Sequence, residues 1–399
     1  MKKSLMTFIL LILGISFVLY KNYQSHIGNE ELSHVISKDF FESQNSNAGK
    51  LFYKNKTIEY GLTLDDDLQK YIRKLLKRFR TPYSAVVVID NDSSKVLGLV
   101  GYNYKYKKDY DELALSTTNP GASLFKIVTS AALLETKKVS GNSRFNYNGK
   151  GTTLYKNQLK DKKNRWTKNI SFKKAFAFSN NVIFGKLSQR YLTSESLLEM
   201  SERFKFNSEI LDIISSPVSS FSLASGKYQL AEFGSGFNKK NTVSPLHAAY
   251  LSMIVANNGI KKNLKLIDYI KVGDTEINLR QRKLIDTKSY KIYSESTSSE
   301  LKNLMLETVR RGTARGVGQI RRKSLKKKLI IGAKTGSITG GFPNGKREWV
   351  TAFSIPKDQK HGRGISVAVV NILDKKWYVR SSYIAKKVIE YYFSNIKKI

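Results

Sequence analysis

Leu329-Ile330-Ile331-Gly332-Ala333-Lys334-Thr335-Gly336-Ser337 is an apolar run that ends in a cation, a hydroxyl and a glycine. It reads as a strand, and two more follow it: WVTAFSIP at 349–356 and ISVAVVNI at 365–372. Far upstream, residues 84–90 and 95–101 are β-branched apolar runs separated by Asn91-Asp92-Ser93-Ser94, which is a hairpin signal. Between about 120 and 315 the pattern is mostly helical, with segments beginning SLFKIVTSAALLE (123), SFKKAFAFSNNVIFGKLSQRYL (171) and SPLHAAYLSMIVANNG (244). An amphipathic helix, SYIAKKVIEYYF, follows the last strand. Strands early and late with helices between them predict an α+β fold. One antiparallel sheet is flanked by helices and carries an inserted all-helical lobe.

The N-terminal part divides in three. Lys2 and Lys3 precede an apolar run at 5–20 broken only by Thr7, Gly14 and Ser16, which reads as a membrane helix, with a cleavable signal as the rival. Residues 21–62 read as a polar stalk. From 63 to 399 a single catalytic domain is expected. Its first helix is expected to be capped by Thr63, with Asp65, Asp66 and Asp67 in the first turn and Leu68, Ile72, Leu75 and Leu76 on its apolar face.

Composition removes several function classes. The 399 residues carry 69 Lys and Arg against 32 Asp and Glu, a net charge of +37, yet 41% are hydrophobic and 11% aromatic. A disordered polycation would lack that apolar content. Without cysteine there are no disulfides, thiolate metal sites or cysteine nucleophiles. The four histidines (26, 34, 247, 361) form no HExxH, so zinc hydrolysis is not expected, and His247 sits on an apolar helical stretch as a core residue would. The lysines read as spread along the chain, which argues against nucleic acid as partner and leaves anionic lipid or wall polymer for the charge.

Three short motifs carry chemistry. Ser123 stands at the start of a helix with Lys126 one turn on, so a lysine of lowered pKa can take the serine proton. Ser-x-x-Lys occurs six times in the chain, so this spacing alone decides nothing. Ser179-Asn180-Asn181 puts a hydroxyl and a carboxamide two residues apart in a break between helices. Lys334-Thr335-Gly336-Ser337 offers a cation and a hydroxyl to a carboxylate, and a glycine that lets a backbone approach closely.

Taken together and in this order, the motifs resemble the SxxK, SxN and KTG set of penicillin-binding proteins and serine β-lactamases. The resemblance runs from about 63 to 393. LTLDDDLQ, VVVIDNDSSKVLGLVGY, GASLFKI and ETVRRGTARG extend it. It departs at Asn180, where the family has Asp, and at the hairpin turn before Lys95, which has no glycine. The resemblance implies Ser123 as acylated nucleophile, Lys126 as base and Ser179 as proton shuttle. It implies Asn181, Lys334, Thr335, Gly336 and Ser337 as substrate-binding residues, with backbone N–H groups of Ser123 and Ser337 on the oxyanion. It implies a peptidoglycan D,D-transpeptidase acting on D-Ala-D-Ala stem peptides, inhibited by β-lactams, with no cofactor or metal. Its place would be outside the cytoplasm on a single-pass anchor, within a cell-wall synthesis complex and without a glycosyltransferase domain. The alternatives are a D,D-carboxypeptidase or β-lactamase, or a β-lactam sensor without turnover.

Overall fold

The computed structural model describes residues 27–43, 47–358, 360, 362–374 and 376–398, which fall into two compact units. The apolar run at 5–20 lies outside the described residues. Among those described, no helix is long and apolar enough to cross a membrane.

The smaller unit gathers residues 27–63, 212–215 and 266–286. Where a polar stalk was expected, the chain forms the helix Asn29–Glu42 and the hairpin Ala48–Tyr53 and Lys56–Leu62. Ile267–Val272 pairs with the second hairpin strand, and Thr275–Glu276 closes a four-stranded antiparallel sheet. The signal is hidden because the turn is Lys54-Asn55, both at positive φ (46° and 59°), in place of a glycine pair. Two strand glycines are covered by tyrosines: a Cβ on Gly49 would meet the ring of Tyr60, and one on Gly61 the ring of Tyr269. Leu32, Ile36, Ile58, Tyr60 and Ile270 are buried in this unit. The single domain from 63 to 399 is thus corrected, because Thr63 and residues 266–286 belong here.

The larger unit is built on a six-stranded antiparallel sheet. Its order is Leu329–Thr339, Lys346–Pro356, Ile365–Leu373, Tyr83–Asp90, Val96–Asn103 and Lys108–Asp109. The central strands are buried at nearly every position because helices cover both faces of the sheet. Val86, Val88, Val100, Val350, Val367 and Val369 share one core with Leu68, Ile72, Ile384 and Val388 of the helices Asp66–Arg78 and Ser381–Tyr391. Against the sheet also packs Pro245–Ala256, a helix buried at every position and tied to it by Thr351 Oγ1 donating to Ala248 O at 2.5 Å.

Local chemistry moves some expected boundaries. The first helix is capped by Asp65, whose carboxylate accepts from Leu68 N at 2.8 Å, and not by Thr63. The stretch read as a helical lobe also contains the strand pairs Arg144–Tyr147 with Lys168–Ser171 and Ile260–Lys261 with Tyr290–Lys291. Tyr102 and Tyr104 join the core, while Tyr106 is exposed. In the 90–95 turn, Ser94 takes the left-handed conformation that a glycine would supply (φ 61°), and its hydroxyl is buried without a partner. Ser94→Gly should therefore stabilise the protein by about 1 kcal/mol, since it removes both a strained residue and an unpaired hydroxyl. A lowered melting temperature would contradict this account of the turn.

Candidate active site

Ser123 lies on a 3₁₀ turn, Ala122–Phe125, that runs directly into the helix Lys126–Glu135. The residue before it, Ala122, is held at φ 47°, a conformation a side chain disfavours. The approach loop is fastened on several sides. Gly121 N donates to Asn241 O (3.1 Å), Trp349 Nε1 to Pro120 O (3.2 Å) and Arg347 Nε to Asn119 Oδ1 (3.0 Å). Arg347 is buried, and loss of water pulls its pKa down to about 10. Gly236 (φ 66°) backs onto this turn so closely that a Cβ there would stand 2.0 Å from Ala122 O.

Lys126 is fully buried. Its Nζ lies 2.8 Å from Ser123 Oγ, 2.7 Å from Asn181 Oδ1 and 2.5 Å from Ser235 O. The amide of Asn181 is oriented by its other end, where Nδ2 donates to Thr152 O at 2.8 Å. Asn181 Oδ1 and Ser235 O can only accept. A neutral amine has two N–H groups for them and one lone pair, which then faces the Ser123 hydroxyl. Burial, and next the nearby Lys334 ammonium, hold the Lys126 pKa well below the lysine range and favour that neutral form.

The second cluster sits beside the first. Lys334 is also fully buried, and burial lowers its pKa to about 7. Its Nζ donates to Ser179 Oγ (3.0 Å) and to Thr335 O (2.7 Å) and lies 5.5 Å from the centre of the Phe176 ring. Ser179 occupies the break between the helices Phe172–Ala177 and Asn181–Tyr191 at φ 57°. Asn180, where the resemblance leads one to expect Asp, caps the second of these helices by accepting from Ile183 N at 2.9 Å, a task either residue performs.

The strand Leu329–Thr339 is the edge of the sheet next to this turn. A Cβ on Gly336 would stand 3.2 Å from Ser123 N, so a side chain there would crowd the space between the strand and the serine backbone. Thr335 Oγ1 is 2.5 Å from Thr313 Oγ1, and Thr313 N donates to Ala177 O at 3.0 Å. Ser337 follows on the same strand, exposed. Neither lysine is paired with a carboxylate among the described residues.

A family model described as the penicillin binding protein transpeptidase domain matches residues 84–389. The chain belongs to the penicillin-binding protein transpeptidase family. Solved structures agree in fold. Penicillin-binding protein A from Mycobacterium tuberculosis is 20% identical, with 83% of this chain and 81% of that one covered at a TM-score of 0.62. The D,D-transpeptidase domain of a peptidoglycan glycosyltransferase from Eggerthella lenta is also 20% identical, with 90% and 86% covered at 0.65. The M. tuberculosis protein A imipenem acyl-enzyme complex gives 20% identity, 83% and 78% coverage and 0.62. No curated protein sequence matches this chain.

In this penicillin-binding protein the three motifs meet, but three contributors went unread in the sequence. Ser235 supplies a carbonyl to Lys126 from the last turn of the helix Lys227–Ser235; the signal was the Gly-Ser-Gly at its end. Thr313 lies in ETVRRGTARG, which extended the resemblance without a role for this residue, and Arg347 has no motif at all. His247 is a core residue: it contacts Phe204 O at 2.8 Å, and burial lowers its pKa to about 4.

The Lys126 geometry makes a prediction about pH. Reaction of Ser123 with an acylating reagent should slow as pH falls through the lowered Lys126 pKa, because protonation removes the lone pair. Asn181→Asp would place an anion against Nζ, raise that pKa and move the rising limb of the rate profile to higher pH by a unit or more, in the range of about 1–3 units for a carboxylate beside a cation. An unmoved profile would exclude Lys126 as the titrating group.

Proposed function

We propose that this penicillin-binding protein is a serine-type D-Ala-D-Ala transpeptidase that cross-links peptidoglycan stem peptides. The observation carrying the reading is the buried Lys126 amine 2.8 Å from Ser123 Oγ, with both of its N–H groups occupied elsewhere. Ser123 Oγ attacks the carbonyl of the penultimate D-Ala while its proton passes to Lys126 Nζ. The backbone N–H groups of Ser123 and Ser337 receive the oxyanion, and Gly336 keeps that space free. As the C–N bond breaks, the proton that Lys126 took passes by way of Ser179 Oγ, which lies against Lys334 Nζ, to the leaving D-Ala amine, and Lys126 is neutral again. Lys334 and Thr335 bind the terminal carboxylate, and Asn181 the donor peptide. The ester on Ser123 is then attacked by the amine of a second stem peptide. Its proton passes to the neutral Lys126, the new amide forms, and the serine is released protonated.

A carboxylate also keeps Lys334 protonated, since an anion beside a lysine raises its pKa. That charge in turn discourages a proton on Lys126. Substrate binding thereby sharpens the division of labour between two lysines. β-Lactams carry a carboxylate and an acyl donor together and should be taken up by the same route; the M. tuberculosis protein A forms an imipenem acyl-enzyme complex.

Hydrolysis is the competing outcome, and it needs a base to activate water. Glu300, which opens the one Glu-x-x-Asn between Ser179 and Lys334, is engaged elsewhere: its carboxylate accepts from Gly141 N at 3.2 Å. Labelling with fluorescent penicillin and mass mapping should find the adduct on Ser123, lasting many minutes, and none in Ser123→Ala. An adduct surviving in that variant would reject the assignment, whereas nitrocefin turned over at about 10 per second or faster, a rate typical of enzymes, would make the protein a β-lactamase.

The run at 5–20 behind Lys2 and Lys3 is read as an anchor that keeps the catalytic unit outside the cytoplasm. The protein should stay with membranes through a high-salt wash and leave them in detergent, because salt screens charge and not apolar insertion. A mature N-terminus near residue 17 would show a cleaved signal in its place.

A further inference from the structure

The positive charge is less evenly spread than the sequence reading held. Residues 144–190 contain twelve Lys and Arg against one acid, Asp161. Five of these cations, Arg144, Lys162, Lys163, Lys186 and Arg190, line one cavity of about 260 Å³. Its walls are the hairpin strand Arg144–Tyr147 and the helix Asn181–Tyr191, and Ile183 and Leu187 give it an apolar floor.

The single acid is already shared. Asp161 Oδ1 receives Lys186 Nζ at 2.6 Å, and Oδ2 pairs with Arg190. Lys186 first, then Arg190, hold its carboxyl below the usual range, so it stays ionised and serves two cations at once. Arg144 is oriented by Asn169, through Nε to Oδ1 (2.5 Å) and Nη2 to O (3.0 Å), which fixes the guanidinium without neutralising it. Among the described residues no carboxylate pairs with Arg144, Lys162 or Lys163. Several cations facing one opening repel each other and are relieved by an anion of matching valence.

We propose that this cavity binds a phosphodiester-bearing polyanion, separately from the catalytic cleft. One anion cannot balance the excess charge, whereas successive phosphodiesters can. Guanidinium forks match phosphate oxygens, and the apolar floor suits the uncharged links between charges. The same group is repeated along soluble phosphodiester polymers and displayed by anionic lipid headgroups.

The test uses the full chain in detergent and a fluorescent synthetic glycerol-phosphate oligomer, followed by polarisation. Binding should weaken about tenfold between roughly 0.05 M and 0.2 M salt, as release of a few counterions requires. Lys162→Glu/Lys163→Glu should weaken it by a further tenfold or more. Lys326→Glu/Lys327→Glu, an equal charge change on the exposed helix Lys323–Lys328, which does not line the cavity, should leave it within about twofold, since exposed charges that make no contact with the ligand are screened by salt. Displacement of the oligomer by phosphatidylglycerol vesicles, with neutral phosphatidylcholine vesicles inert, would assign the site to lipid headgroups. No displacement by either would assign it to soluble polymer. Equal weakening by both lysine pairs, or no binding at low salt, would overturn the site.

Discussion

A lysine buried from solvent and, among the described residues, paired with no carboxylate is the constraint on which this structure turns. An ammonium at the Lys126 position would lose its hydration and gain only neutral acceptors, so the fold favours the amine and thereby makes a base. That outcome depends on four separate stretches of chain arriving together: the turn at Ser123, the helix opening at Asn181, the helix ending at Ser235 and the edge strand bearing Lys334. Remove the sheet's grip on the edge strand, and the second lysine no longer biases the first. The site is therefore a property of the tertiary packing and not of any helix in it.

The strain around the site follows from the same requirement. Ala122 and Ser179 both sit at positive φ, immediately before and within the motifs that bear the hydroxyls of Ser123 and Ser179. Each conformation costs on the order of 1–3 kcal/mol and persists only where neighbours overdetermine it. Trp349, Arg347 and Asn241 do so for the first, and the two helix ends do so for the second. Arg347 illustrates the expense: a buried guanidinium whose Nη2 has no partner is tolerated because its Nε holds Asn119.

How much could be read beforehand depended on whether a signal was local. The hairpin at 83–103, the three late strands and the three motifs announce themselves through continuous apolar, β-branched runs and short fixed spacings. Ser235 contributes a carbonyl, which every residue has, so no side-chain identity could mark it. Thr313 and Arg347 matter through partners 22 and 228 residues away, at Thr335 and Asn119. The smaller unit escaped notice because its turn uses Lys-Asn at positive φ and because two of its strands come from beyond residue 265, inside what looked like a helical stretch.

That interleaved chain path limits how the protein can be shortened. A chain begun at Leu64 would retain Ile267–Val272 and Thr275–Glu276 but lose Lys56–Leu62, their partner across the sheet. The stranded pair would present a bare edge and uncover Ile270, the kind of surface through which unrelated chains zip together. Soluble forms meant for crystallisation or inhibitor screening should therefore begin ahead of the helix Asn29–Glu42, not at the start of the family-matched region.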